Sequence, residues 1–215
     1  KIQNEFISRA FNLKTETKLL KKIAILISGK GTNMEAIIKD SKTINYPGIV
    51  KFVLSNNPDA LGIIKAKNLG IKTFVFPVNK NHSMEIFEKR LLNLLIKEKI
   101  ELICLAGFMK ILSKNFLQNY NGTILNIHPS ILPSIKGLNT HQRILEKDIK
   151  THGATVHTVT SELDSGKILG QVTINILKKD TPKNLASKLI IKEHKLYTKV
   201  IRNIITGKNT IIQEN

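Results

Sequence analysis

Short apolar runs alternate with amphipathic patterns through the first 130 residues of the chain. Five runs are predicted as strands, at residues 23–27, 49–54, 71–76, 102–106 and 123–127. Helices are predicted to begin at Asn33, Ala60 and Met84, where apolar residues recur at the spacing of one helix face. The strands are apolar throughout, which is typical of strands buried on both faces. The alternation predicts an α/β fold with a doubly wound, mostly parallel sheet.

The pattern changes after Gly153. Residues 154–160 and 171–177 read as two further strands with no helix between them, which indicates an antiparallel arrangement. Thr181 and Pro182 then open a long last helix that is predicted to end near Ile205, before Gly207. Apolar positions are sparse in residues 1–22, so we expect a poorly ordered N-terminal extension there and a single domain over residues 23–215.

Composition narrows the class of protein. The chain has 215 residues, a formal net charge of +18 and one cysteine, Cys104, in an apolar run. A disulfide framework is therefore excluded, and no apolar stretch approaches the roughly 20 residues of a membrane span. We expect a cytoplasmic protein without a membrane partner. The lysines are spread along the chain, which favours anionic small substrates and only non-specific contact with nucleic acid.

A polar pair, Asn126 and His128, closes the fifth predicted strand. Residues two apart on an extended strand point to the same face, and Pro129 removes a backbone donor and ends the strand. The pair combines an amide donor with the side chain that titrates nearest to neutral pH. An Asn-x-His pair alone is more typical of a strand end with a structural histidine. Open α/β sheets, however, bind their ligands at the carboxyl ends of strands, where this pair lies.

The turn at residues 28–33, Ser-Gly-Lys-Gly-Thr-Asn, is a candidate phosphate site. Its small residues let backbone N–H groups approach an anion, and the start of the following helix carries partial positive charge. We therefore expect Gly31, Thr32 and Asn33 to hold a phosphate, although a plain tight turn would look similar. Met34 stands where a dinucleotide fingerprint needs its third glycine, and the Walker spacing is absent.

Two further segments could contribute to the same site. Residues 108–112 place apolar side chains at the carboxyl end of the fourth strand, where a flat aromatic ligand could use them or where they could simply pack. Asp164 precedes the flexible pair Ser165 and Gly166. It could orient a histidine or a water, or it could cap a turn.

Four motifs of this chain stand together in one order. They are Ser-Gly-x-Gly-Thr-Asn at 28–33, Leu-Ala-Gly-Phe-Met-x-Ile-Leu at 105–112, Asn-Ile-His-Pro-Ser-x-Leu-Pro at 126–133 and Val-Thr-x-Glu-Leu-Asp at 159–164. In combination they resemble the glycinamide ribonucleotide formyltransferase family, over residues 23–207. The resemblance implies the Rossmann-like formyltransferase fold. It also implies transfer of a formyl group from 10-formyltetrahydrofolate to the amine of glycinamide ribonucleotide, in purine synthesis.

The resemblance also implies roles for individual residues. The catalytic group would be Asn126, His128 and Asp164, with Asn126 and His128 donating to the formyl oxygen and Asp164 assisting proton transfer. The ribonucleotide would lie against Gly31, Thr32, Asn33 and Glu193, the last of these on the ribose hydroxyls. The folate would contact Met109, Lys110, Ile111, Leu112 and Asn126. No metal is implied.

Some positions differ from the family pattern. Met84 and Lys110 stand where arginines are usual, and a lysine keeps the charge without the planar fork of an arginine.

Two related enzymes share the Asn-x-His and Asp arrangement. Methionyl-tRNA formyltransferase carries an added tRNA-binding domain and formyltetrahydrofolate hydrolase an added N-terminal domain, and we expect room for neither. A basic nucleic-acid-binding protein is the alternative from another class, and a steep salt dependence of binding would support it.

Overall fold

A computed structural model describes residues 20–147 and 149–214. In this part of the chain, eight strands form one sheet in the order β3-β2-β1-β4-β5-β6-β7-β8. The strands are β1 Lys21–Ile27, β2 Gly48–Ser55, β3 Thr73–Val75, β4 Leu102–Leu105, β5 Thr123–His128, β6 Thr151–Thr158, β7 Ile168–Asn175 and β8 Ile212–Glu214. The helices are α1 Thr32–Ser41, α2 Leu61–Asn68, α3 Met84–Glu98, α4 Lys114–Asn119, α5 Thr140–Leu145 and α6 Pro182–Ile205.

Seven of these strands run in one direction. Strands β1 to β5 pair in parallel, whereas β6 is antiparallel to both of its neighbours and β8 is again parallel to β7. The prediction of a doubly wound, mostly parallel sheet with antiparallel pairing near its C-terminal end is therefore confirmed. The long C-terminal helix is also confirmed: it begins after Thr181, whose side chain accepts the N–H of Asn184, and it ends before Gly207, which has a φ of 72°.

Helices cover both faces of the sheet. In β1, Ile23, Ile25 and Ile27 pack into a core beneath α1 and α6, while Ala24 and Leu26 pack into a second core beneath α3. All five residues are fully buried. Burial on both faces explains why this strand is apolar at every central position rather than alternating.

Several boundaries and three elements differ from the sequence prediction. Helices α4 and α5 have six residues each and β8 has three, which is too short for a periodic pattern to identify them. The third strand shortens to Thr73–Val75, and β7 begins three residues earlier than predicted. Strand β1 begins at Lys21, which pairs with Gly48, so the predicted N-terminal extension overlaps the sheet by two residues. The remainder of that extension, residues 1–19, lies outside the described residues.

The topology places one crevice at the carboxyl ends of β1 and β4. From β1 the chain proceeds to β2 and β3 on one side, whereas β4 leads to β5 on the other side. Such a switch point leaves a gap between the loops that follow the two central strands. The loops in question are residues 28–31 and 106–113. No helix among the described residues is both long and apolar enough to cross a membrane.

Candidate functional site

The loop between β1 and α1 is closely packed and leaves backbone donors at the start of the helix. Gly31 has a φ of 68°, and a Cβ atom there would lie 2.9 Å from the Cα of Gly62. Only glycine meets both requirements without strain. Because no side chain caps the helix, the N–H groups of its first turn stay available to an anion. The loop is therefore compatible with an anion at this helix start, and the phosphate site at Gly31, Thr32 and Asn33 stays a prediction.

Asn33 and Glu193 meet beside this loop, although 160 positions separate them. The Asn33 side-chain amide donates to Glu193 at 2.8 Å, and both side chains are buried. Burial raises the pKa of Glu193, and the hydrogen bond from Asn33 opposes this. The Asn33 Oδ1 atom is buried and has no hydrogen-bond partner within residues 20–147 and 149–214. A buried acceptor with no donor is costly, so this corner is suited to a ligand that carries hydroxyl or amine donors.

The three predicted catalytic residues lie in one cluster. Asp164 Oδ2 is 3.4 Å from His128 Nδ1, and both side chains are almost fully buried. The carboxylate also accepts the N–H of Gly137 at 2.8 Å. Asp164 has a φ of 48°, a conformation that aspartate tolerates better than most residues. Asn126 lies on the same strand as His128, two residues earlier, and therefore faces the same crevice.

His128 is held by its other ring nitrogen. Nε2 lies 2.9 Å from the carbonyl oxygen of Ile135, which can only accept a hydrogen bond, so Nε2 carries a proton. Nδ1 is then the nitrogen that faces Asp164. At 3.4 Å this contact is longer than a good hydrogen bond, so an Nδ1 proton is not locked onto the carboxylate.

His157 completes the cluster, and sequence reasoning missed its position. It pairs with Asn126 across the antiparallel strands β5 and β6. Its Nδ1 donates to the carbonyl of Thr158 at 2.8 Å, so Nε2 is the acceptor for the Asn126 amide at 3.2 Å. Burial lowers the pKa of His157, although the hydrogen bond to Thr158 and the charge of Asp164 oppose this. One Asn126 N–H is thereby engaged, and among the described residues the other has no partner, so a ligand can use it.

The predicted folate segment divides into exposed and buried parts. Met109 and Ile111 are 64% and 70% exposed, and Lys110 is exposed as well. Leu112 is only 5% exposed and packs into the core beneath α3. The first three side chains can therefore contact a ligand directly, whereas Leu112 can offer only its backbone and the support of its packing. Exposed apolar side chains at the switch point suit a flat aromatic ligand.

The described residues contain no group of three or more histidine, cysteine, aspartate or glutamate side chains that could hold a metal ion. Cys104 is fully buried, and burial raises the pKa of its thiol. A thiol held neutral in this way is a poor nucleophile, which agrees with its predicted place in the core.

Comparisons with known proteins agree with this geometry. A family model described as formyl transferase matches residues 21–201. Phosphoribosylglycinamide formyltransferase of Escherichia coli is 38% identical over 186 residues, which cover 86% of this chain and 88% of that protein. The enzyme of the same name from Haemophilus influenzae is 40% identical over 190 residues, 88% of this chain and 89% of that protein.

Solved structures show the same relationship. Glycinamide ribonucleotide transformylase 1 from Symbiobacterium toebii superposes with a TM-score of 0.85 at 34% identity, over 91% of this chain and 92% of that one. The family model covers residues 21–201, and these relatives match over most of both chains. The chain therefore belongs to the formyl transferase family, as the four motifs of its sequence predicted.

Proposed function

We propose that this protein transfers a formyl group from 10-formyltetrahydrofolate to the amine of glycinamide ribonucleotide, in de novo purine biosynthesis. The observation that carries the proposal is the meeting of Asn126, His128 and Asp164 between two loops at the switch point of the sheet. One loop is built for an anion and the other exposes apolar side chains. The relatives named above are formyltransferases that act on this ribonucleotide by name, which supports the same substrate here.

The two substrates would occupy opposite sides of the cluster. The phosphate would bind at Gly31, Thr32 and Asn33, and the ribose hydroxyls would donate to Glu193 and to the unpaired Asn33 Oδ1. The folate ring would lie against Met109, Lys110 and Ile111. Binding both substrates in this way would convert a reaction between two molecules into one within a complex, which can supply a large part of the rate enhancement.

Asn126 is suited to stabilise the charge that develops on the formyl oxygen as the amine attacks. His157 holds one of its amide N–H groups, so the amide is already oriented and the second N–H needs no reorganisation to donate. Pre-oriented donors of this kind are worth about 100- to 1,000-fold in rate. His128 Nδ1, when protonated, would be a second donor in the same crevice.

Asp164 is suited to proton transfer from the attacking amine. Its carboxylate faces both imidazole rings, with Oδ2 3.4 Å from His128 and Oδ1 3.6 Å from His157. The backbone N–H of Gly137 fixes its orientation. A carboxylate held in this way would take up the amine proton through a bound water. We also propose a cytoplasmic location, which the single buried cysteine supports.

The proposal is tested by following deformylation of a 10-formyl-folate analogue with and without glycinamide ribonucleotide. We expect turnover that depends on the ribonucleotide. Turnover of equal rate without it would indicate a hydrolase, and no turnover under either condition would contradict formyl transfer. His82→Ala is a suitable control, because His82 is an exposed histidine outside the proposed site, with its ring Nδ1 3.2 Å from Asn79 Oδ1.

A further inference from the structure

One serine joins the two loops that border the site. Ser28 is the first residue after β1, and its N–H donates to the carbonyl of Gly107 at 3.0 Å. Its hydroxyl oxygen accepts the N–H of Met109 at 2.8 Å. The residue that begins the phosphate loop is therefore bonded twice to the segment that leads into the folate loop.

The direction of the Ser28 hydroxyl is set by a third segment. Ser28 Oγ donates to Asn56 Oδ1 at 2.5 Å, and Asn56 is only 6% exposed. A serine hydroxyl has a single proton. With that proton committed to Asn56, the lone pairs of Oγ are left to receive the Met109 N–H. The side chain of Asn57 also donates to the Ser28 carbonyl, at 3.1 Å.

The two loops line one cavity of about 260 Å³, whose walls are residues 28–33, Ala106, Gly107 and Met109. A shift of Ser28 would move both the start of the phosphate loop and the backbone of Met109. No other part of the wall is bonded to both loops in the described structure. A displacement of one loop by a ligand can therefore be passed to the other through Ser28.

We propose that Ser28, oriented by Asn56, is a positioning residue that couples binding of the ribonucleotide to binding of the folate. The proposal rests on the assignment of the two loops under Proposed function. Each substrate then tightens binding of the other, because the first to bind holds the shared hydrogen bonds, and with them both loops, in the arrangement that the second requires. Such coupling is reciprocal and commonly amounts to about 5- to 150-fold in affinity.

Ser113 offers a matched control at the far end of the folate loop. Its N–H and its hydroxyl both donate to the carboxylate of Glu88, each at 2.6 Å. These bonds anchor the end of residues 109–112 to α3, which carries Glu88, and not to the phosphate loop. Ser113→Ala and Ser28→Ala therefore remove the same hydroxyl from opposite ends of one loop, and only Ser28→Ala removes a link between the two loops.

The experiment is calorimetric titration of the full chain with glycinamide ribonucleotide and with a folate analogue that lacks the formyl group. The quantity measured is the coupling factor, the Kd of the ribonucleotide alone divided by its Kd when the analogue is saturating. We expect a factor of about 5 or more in the unaltered protein. In Ser28→Ala it should fall close to 1. In Ser113→Ala the Kd of the analogue should rise while the coupling factor is retained.

Three outcomes would overturn the proposal. The first is an unchanged coupling factor in Ser28→Ala, and the second is an equal loss in Ser113→Ala. The third is a factor of 1 in the unaltered protein, which would end the coupling while leaving the proposed function intact if both ligands bind. Failure of both ligands to bind the unaltered protein would end the proposed function as well. If Ser28→Ala does not fold, the coupling factor is measured in Asn56→Leu instead, because this variant keeps Ser28 and removes the partner that orients its hydroxyl. An unchanged coupling factor in Asn56→Leu would also overturn the proposal.

Discussion

At the scale of single residues, the site is a cluster of four polar side chains that are held largely by one another. Asn126 donates to His157, Asp164 faces both histidines, and His128 donates through Nε2 to a backbone carbonyl. Buried polar groups are costly unless they are paired, so this arrangement keeps the side chains in place before substrate binds. What it leaves free is one amide N–H and the Nδ1 side of His128.

Replacing His128 by alanine tests its part in the chemistry. We expect turnover to fall by about 100-fold or more, because a positioned donor and acid is lost. The free energy of unfolding should change by only about 1–2 kcal/mol, since the Ile135 carbonyl keeps the hydroxyl of Ser130 as a donor. Steady-state rates and chemical denaturation measure the two quantities. Near-normal turnover with a much lower stability would assign His128 a structural role instead.

A second pair of histidines predicts how stability depends on pH. His152 is 1% exposed, its Nε2 is 2.9 Å from Nδ1 of His141, and its own Nδ1 has no partner. Burial, followed by the neighbouring histidines, lowers the pKa of His152 to about 4. The unfolded chain takes up this proton near pH 6.5 and the folded protein does not. Stability should therefore be full above pH 6.5 and should fall as the pH drops toward 4, by up to about 3 kcal/mol from this group.

The measurement is the free energy of unfolding from pH 7.5 to 4, for the unaltered protein and for His152→Gln. We expect the variant to lose less stability over this range, because glutamine takes up no proton. His82→Ala serves as the comparison, since that histidine is exposed. Parallel pH curves for the unaltered protein and His152→Gln would show that other groups cause the acid sensitivity.

At the scale of elements, the site depends on how helices are attached to the central strands. Helix α6 carries Glu193, and the Tyr197 hydroxyl one turn later contacts the carbonyls of Leu105 and Leu125 at 3.1 and 3.0 Å. Tyr197 is fully buried. These bonds tie the helix to β4 and β5, the two strands that lead into the site. Helix α1 packs on the same face of the sheet as α6, begins after the turn at Gly31, and brings Asn33 to Glu193.

The turn at Gly31 is tested by a pair of glycine substitutions. Gly31→Ala would place a Cβ 2.9 Å from the backbone of Gly62 at a φ of 68°, so the loop must shift. The cost of a left-handed alanine is about 1–2 kcal/mol, and we expect the KM for glycinamide ribonucleotide to rise by about tenfold. Gly29→Ala is the control, because a Cβ there meets no atom within 4 Å. A larger effect on folate affinity than on the ribonucleotide would mean that the loop serves the other ligand.

At the scale of the whole molecule, the direction of strand β6 decides which side chains lie beside those of β5 in the site. Strand β6 is antiparallel to β5, which places His157 beside Asn126 and Thr155 beside His128. The chain then turns at residues 159–167, and Asp164 returns to the same crevice. The formal charge of +18 suits anionic substrates at such a crevice, and non-specific contact with nucleic acid stays a prediction.

A shortened chain tests where the domain begins. Strand β1 starts at Lys21, and every candidate site residue lies between positions 28 and 193. We therefore expect a chain that starts at Leu20 to keep its turnover and to melt within about 2 °C of the full chain. A chain that starts at Ile23 loses the pairing of Lys21 and Lys22 with β2 and the hydrogen bonds of both to Glu101, and should melt at a lower temperature. Loss of activity in the longer of the two shortened chains would show that residues 1–19 contribute to function.

The sequence by itself determined the alternation of strands and helices, the two candidate loops and the pair Asn126 and His128, because these depend on local periodicity and on residues close together in the chain. It did not determine that Asn33 would meet Glu193, that His157 would orient Asn126, or that Ser28 would join the two loops. Those contacts join segments 31 to 160 positions apart. They are decided by strand order, by the register of β6 on β5 and by the packing of α6, none of which leaves a periodic signal in the chain.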